Sequence, residues 1–127
     1  MKQKITPNLW FVGNAEEAID FYTSAFPDSR LLAKSYYPKG VDEGLAEFQL
    51  EFAGKVLTIE FELGGQAFVA INAGPDFKPN PSISFMVNFD PSVDEQAHDH
   101  LDQLWKILSD GGQALMPLDE YPFSKRY

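Results

Sequence analysis

Two segments of this chain change hydrophobic period in the same order, from a short apolar strand to an amphipathic helix and back to a strand. A repeated supersecondary unit of this kind sharply limits the folds open to a small protein. In the first segment, residues 5–12 are apolar and the run stops at Gly13-Asn14. Asn14 suits a helix N-cap, and Glu17 three residues later completes a capping-box pattern. Ala15, Ala18, Ile19, Tyr22 and Phe26 then recur at helical spacing until Pro27-Asp28. In the second, residues 83–89 read as a strand and Asp90-Pro91-Ser92 as a turn, and the spacing predicts a helix from about Val93. Val93, Ala97, Leu101, Leu104, Trp105 and Leu108 share one face of it. Gly111-Gly112 closes that helix, and a strand is expected over residues 113–116.

Between the two lie segments with the two-residue period of half-buried strands. Residues 29–37 read as a strand leading into a polar loop, 38–44. Ala46, Phe48, Leu50 and Phe52 alternate with Glu47, Gln49 and Glu51, and Leu57, Ile59, Phe61 and Leu63 alternate with Thr58, Glu60 and Glu62. Gly64-Gly65 supplies the positive φ angles of a tight hairpin, and residues 66–72 return as a strand. The expectation is an antiparallel meander with one wet face. A loop rich in Gly, Pro and Asn, residues 73–81, separates the halves, so the first copy covers about 4–74 and the second about 81–127. The second copy is the shorter, by about two strands on the helix-and-strand count.

Composition narrows the function classes. At 127 residues the chain suits one domain, 1–127. Its 19 acidic against 10 basic side chains, a formal charge of −9, repel phosphate backbones and argue against a nucleic-acid partner. The absence of cysteine removes disulfides, thiolate metal sites and cysteine nucleophiles. The start, Met1-Lys2-Gln3-Lys4-Ile5-Thr6-Pro7, leads into no signal-type apolar region. No apolar run reaches the ~18 residues of a membrane span. A soluble cytoplasmic protein without a membrane partner is the expectation.

Chemistry-bearing residues each carry a plain reading beside a sharp one. Asp94, His98 and Asp102 fall at i, i+4 and i+8 of the second helix, where a metal could be held, but the expected reading is a solvated acidic face opposite the Leu/Trp stripe. His100 lies about 200° round the helix from His98 and cannot join that set. Glu47, Glu51, Glu60 and Glu62 could be paired carboxylates for acid–base work, but their strict alternation with Phe, Leu and Ile matches the wet face of a sheet. Glu16 and Glu17 suit the positive end of a helix dipole. Trp10 and Trp105 fit a core, and also an aromatic-lined ligand cleft.

Several strings resemble the PhnB-like branch of the vicinal oxygen chelate superfamily, which includes glyoxalase I, bleomycin resistance proteins and extradiol dioxygenases. They are Leu9-Trp10-Phe11-Val12-Gly13-Asn14-Ala15-Glu16-Glu17-Ala18, Phe21-Tyr22, Phe26-Pro27-Asp28-Ser29, Thr58-Ile59-Glu60-Phe61-Glu62-Leu63, Gly65-Gln66-Ala67-Phe68, Ile71-Asn72-Ala73-Gly74-Pro75 and Ile83-Ser84-Phe85. The resemblance implies an α+β fold of two βαβββ modules curled about a shared cleft, the second lacking its last strands, in a protein that is frequently a homodimer. The segment 121–127 resembles the one that precedes a final hairpin and strand in relatives, so either a truncated form or an edge covered by another subunit is expected. Matching Leu9 and Phe11 to Phe85 and Val87 carries the superfamily's metal-ligand positions onto Thr6, or Pro7 at one residue's offset, and Ser82. None of these is a competent primary ligand for a zinc- or iron-type ion, so no metal and no cofactor are expected.

The implied cleft would be fitted by Thr6, Asn72, Ser82, Ser84 and Trp10, whose polar groups would bond a ligand or neighbouring backbone. The leading expectation is a protein that binds a small organic molecule there without a conventional metal site. Its alternatives are a metal-dependent lyase, isomerase or dioxygenase of the glyoxalase type and a non-catalytic dimeric interaction protein. Members of this branch often carry the label 3-demethylubiquinone-9 3-methyltransferase. The sequence has no glycine-rich strand-to-helix turn to support methyl transfer from a nucleoside cofactor.

Overall fold

A computed structural model describes residues 3–127, which divide between Ile83 and Ser84 into two units. The first unit runs β1 (Asn8–Phe11), α1 (Ala15–Ala25), β2 (Ser29–Tyr36), β3 (Val56–Leu63) and β4 (Gln66–Asn72), a complete βαβββ module. Its four-stranded mixed sheet has the order β1-β4-β3-β2, with β1 parallel to β4 and the other pairs antiparallel. The α+β class is therefore as expected.

The hairpin glycines fix the register. Gly64 and Gly65 have φ of 56° and 80°, which the tight turn requires and side chains resist, so Leu63 faces Gln66. From there Phe61 pairs with Phe68 and Ile59 with Ala70, placing them with Leu9 and Phe11 on the side that meets α1. Ala15 and Ile19 of α1 close this core. Phe61, Ile19 and Ile59 are its largest fully buried side chains, each worth about 1.5–3 kcal/mol of burial.

Three local expectations change here. Strand β1 is shorter than residues 5–12, because Pro7 has no N–H to extend the ladder and Ile5 is exposed. Asn14 precedes α1 without a side-chain cap bond; Ala15 N instead donates to Asn72 Oδ1 at 2.9 Å, so a strand end distant in sequence caps the helix. The alternating segment around residues 46–52 is no strand but a 3-10 helix, Glu47–Phe52. Both edges of β3 are already taken by β2 and β4, so an alternating segment just before it finds no partner there.

The second unit contains α2 (Ala97–Ser109), ended at Asp110 before Gly111 at φ 77°. Residues 83–89 and 113–116, expected as strands, are not strands, and among the described residues of this unit there is only a single bridge, Tyr121 to Ser124. The helix starts four residues later than Val93 because two Asp side chains turn the chain first. Ser92 N donates to Asp90 Oδ1 and Gln96 N to Asp94 Oδ1, both at 2.9 Å. Ala97 and Leu104 are buried, Leu101 and Leu108 half-buried, and Val93 is outside the helix and exposed. Among the described residues no helix is long and apolar enough to cross a membrane.

Asp94 also meets His100 Nδ1 at 2.5 Å. That hydrogen bond, then the Gln96 amide, holds the Asp94 carboxyl below the usual carboxylate range. A depressed acid contributes stability above its unfolded pKa and loses it as pH falls through the folded value. The Gln96 amide resonance, followed through an acid titration, is thus expected to shift with a midpoint below the ordinary Asp value. A midpoint at the ordinary value would show that the pairing has no weight.

Candidate functional site

The sheet face opposite α1 is assembled by register. Trp10 in β1 pairs with Ile71, Ile71 with Thr58 and Thr58 with Ser35, one row across all four strands. The next row runs Asn8, Val69, Glu60 and Ala33, and the third holds Ala67, Glu62 and Arg30. Directly opposed residues in paired strands share a face, so these side chains form one surface. Ser35 and Thr58 join through their hydroxyls, and Arg30 Nε donates to Glu62 Oε2 at 3.0 Å. Glu60 stands half-buried between these two pairs on the central strand. Trp10 is 40% exposed, with the Phe77 ring stacked on it at 4.8 Å and 25°. The surface thus offers aromatic area at one edge and carboxylate, guanidinium and hydroxyl groups across its middle.

Asn72 belongs to the other face. It is buried, its Oδ1 accepts from Ala15 N, its Nδ2 donates to Val56 O at 3.1 Å, and its carbonyl accepts from Tyr37 Oη at 2.6 Å. One residue therefore ties the ends of β2, β3 and β4 to the start of α1. Burial pushes the Tyr37 phenol above its ordinary value, as expected for a hydroxyl sealed against a carbonyl. Beside this network opens a cavity of about 350 Å³, bordered by Gly13, Glu16, Tyr36, Phe52, Lys55 and Asn72.

The other expected site residues are dispersed. Thr6 is half-buried just before β1, and its carbonyl accepts from Asn8 Nδ2 at 2.8 Å. Ser82 is exposed, with its amide bonded to Asn80 Oδ1 at 2.9 Å. Ser84 is exposed in the second unit. The sheet thus brings together Trp10 and Asn72 alone of the five, at adjacent register positions of β1 and β4 but on opposite faces. Glu47 and Glu51 leave the carboxylate set because their segment is helical, while Glu60 and Glu62 do share the sheet face. Sequence alternation had put Glu60 and Glu62 on one side of a strand. The pairing of Glu62 with Arg30 needed the register, which single-strand periodicity does not carry.

The acidic helix set separates as well. Asp94 engages His100, and Asp102 accepts from Arg126 Nε at 2.9 Å. Among the described residues no three His, Cys, Asp or Glu side chains converge so as to hold a metal ion. The positions onto which the resemblance carries metal ligands, Thr6 or Pro7 and Ser82, offer no imidazole or carboxylate and do not fit a zinc- or iron-type ion.

A model of the 3-demethylubiquinone-9 3-methyltransferase family matches residues 3–125. The solved structure of the PhnB protein from Bacillus cereus is similar at 33% identity, over 98% of this chain and 87% of that one, with a TM-score of 0.73. A protein of known structure from Staphylococcus aureus is 30% identical over 98% of this chain and 82% of its own, with a TM-score of 0.40. No curated protein matches.

Proposed function

The chain belongs to the 3-demethylubiquinone-9 3-methyltransferase family, in its PhnB-like form, and from that premise we propose that it binds a small organic molecule, without a conventional metal, on the sheet face carrying Trp10. PhnB-like proteins fall within the vicinal oxygen chelate superfamily on this reading. The observation that carries the proposal is Trp10 itself. A large ring, 40% exposed and backed by Phe77, shares a row with Thr58 and Ser35 and lies one row from Glu60. Aromatic area with a few convergent polar groups is the usual make-up of a small-ligand site. Asn72 holds the end of β4 beneath it.

The family's name refers to methyl transfer. The turn entering α1 reads Val12-Gly13-Asn14-Ala15, with one glycine, and the sheet is mixed, which supports binding over nucleoside-cofactor chemistry. The test is a thermal-shift and fluorescence screen with small cyclic ketones, alcohols and acids. A hit is expected to lose at least tenfold in affinity in Trp10→Ala, with binding compared well below the melting temperature of each variant because loss of the Phe77 stack lowers stability as well. Hits indifferent to Trp10, saturable binding of S-adenosylmethionine, or stoichiometric metal surviving dialysis would each overturn the proposal.

A homodimer is part of the same reading. In the second unit Met86, Val93, Leu115 and Phe123 are 68%, 85%, 86% and 68% exposed, large apolar side chains that a second copy could cover. Sedimentation is expected to show a dimer, and a monodisperse monomer would remove this element.

A further inference from the structure

The geometry points to a second ligand site, at the helix-side cavity of the first unit, built for a small aromatic monocarboxylate. This cavity is separate from the Trp10 surface, since Asn72 and Val56 on its wall belong to the face that meets α1. Its walls are held in place before any ligand arrives. Asn72 is bonded through both ends of its amide and through its carbonyl, and the Phe52 ring stacks on Tyr37 at 5.2 Å.

Two rings supply the apolar contact: Phe52, half-buried, and Tyr36, 59% exposed at the mouth. The charge balance then selects the ligand. Glu16, on the rim, is already matched by Lys34 Nζ at 3.0 Å. Among the described residues Lys55 has no ion-pair partner, so its ammonium is the one uncompensated charge in the lining. One free cation and two rings in the same lining favour a single negative charge on a flat apolar body. The chain's net charge of −9 disfavours polyanions such as nucleotides. A volume of about 350 Å³ lies at the low end of the range for small-molecule pockets, which suits a single-ring acid.

Benzoate is the probe, with its neutral analogue benzamide beside it, each titrated into the full-length protein and followed by amide chemical shifts. Benzoate is expected to give saturable shifts grouped at residues 13–16, 36, 52–56 and 72. Lys55→Met should weaken benzoate at least tenfold and leave benzamide unchanged, while Tyr36→Ala weakens both; both positions are exposed, so folding is not at stake. Trp10→Ala should leave benzoate binding intact, which separates this site from the one proposed above. Shifts grouped around Trp10, scattered non-saturable shifts, or equal benzoate affinity in Lys55→Met would each overturn the inference.

Discussion

Asn72→Leu is expected to lower the stability of the protein by about 4 kcal/mol, read as a fall in the urea midpoint with the slope unchanged. The substitution keeps the side-chain volume close to constant and removes the amide that satisfies Ala15 N and Val56 O. Each buried backbone group left without a partner costs roughly 1–3 kcal/mol. Against a typical domain stability of about 5–15 kcal/mol, that loss is a large fraction. Asn72→Asp retains the acceptor for Ala15 but sets a carboxylate against the Val56 carbonyl, so it should be no milder. If both variants unfold at the wild-type midpoint, Asn72 does not hold the start of α1.

Phe61→Ala is expected to cost about 3–5 kcal/mol, the range for deleting a fully buried aromatic ring. Phe61 is wholly inaccessible on the central strand β3 and stacks on Phe68 at 5.4 Å and 16°. Phe48→Ala is its control. Phe48 has the same alternating sequence context, yet it is 82% exposed on the 3-10 helix and should change stability by about 0.5 kcal/mol or less. Equal losses in the two variants, measured by chemical unfolding, would mean that the Phe48 segment is a strand with an inward face after all.

The contrast between these two phenylalanines marks what the chain discloses locally. The 57–63 and 66–72 strands, their two-glycine turn and the helix after Gly13 were legible because each depends on neighbours within a few residues. Residues 46–52 and 83–89 have equally good strand periodicity, but a strand exists only with a partner, and periodicity does not say where the partner is. The site divides in the same way. Trp10 and Asn72 were recognisable as candidates from residue type, a large ring and an amide at strand positions. That they point to opposite faces, and that Asn72 serves backbone, follows from the pairing of β1 with β4, 61 positions apart at each step (69 − 8). Asn14 misled for the same reason: it has the right residue type beside the helix, and the amide that caps it comes from elsewhere.

That distant amide has a kinetic consequence. Asn72 and Ala15 are separated by 57 residues, and β1 joins β4 over a similar span, so the entropy of closing a long loop precedes both contacts. The β3–β4 hairpin needs only its two-residue turn and can form early. The helix start gains its acceptor only when the end of β4 is brought to it, which couples the N-terminal turn of α1 to the longest-range pairing in the sheet.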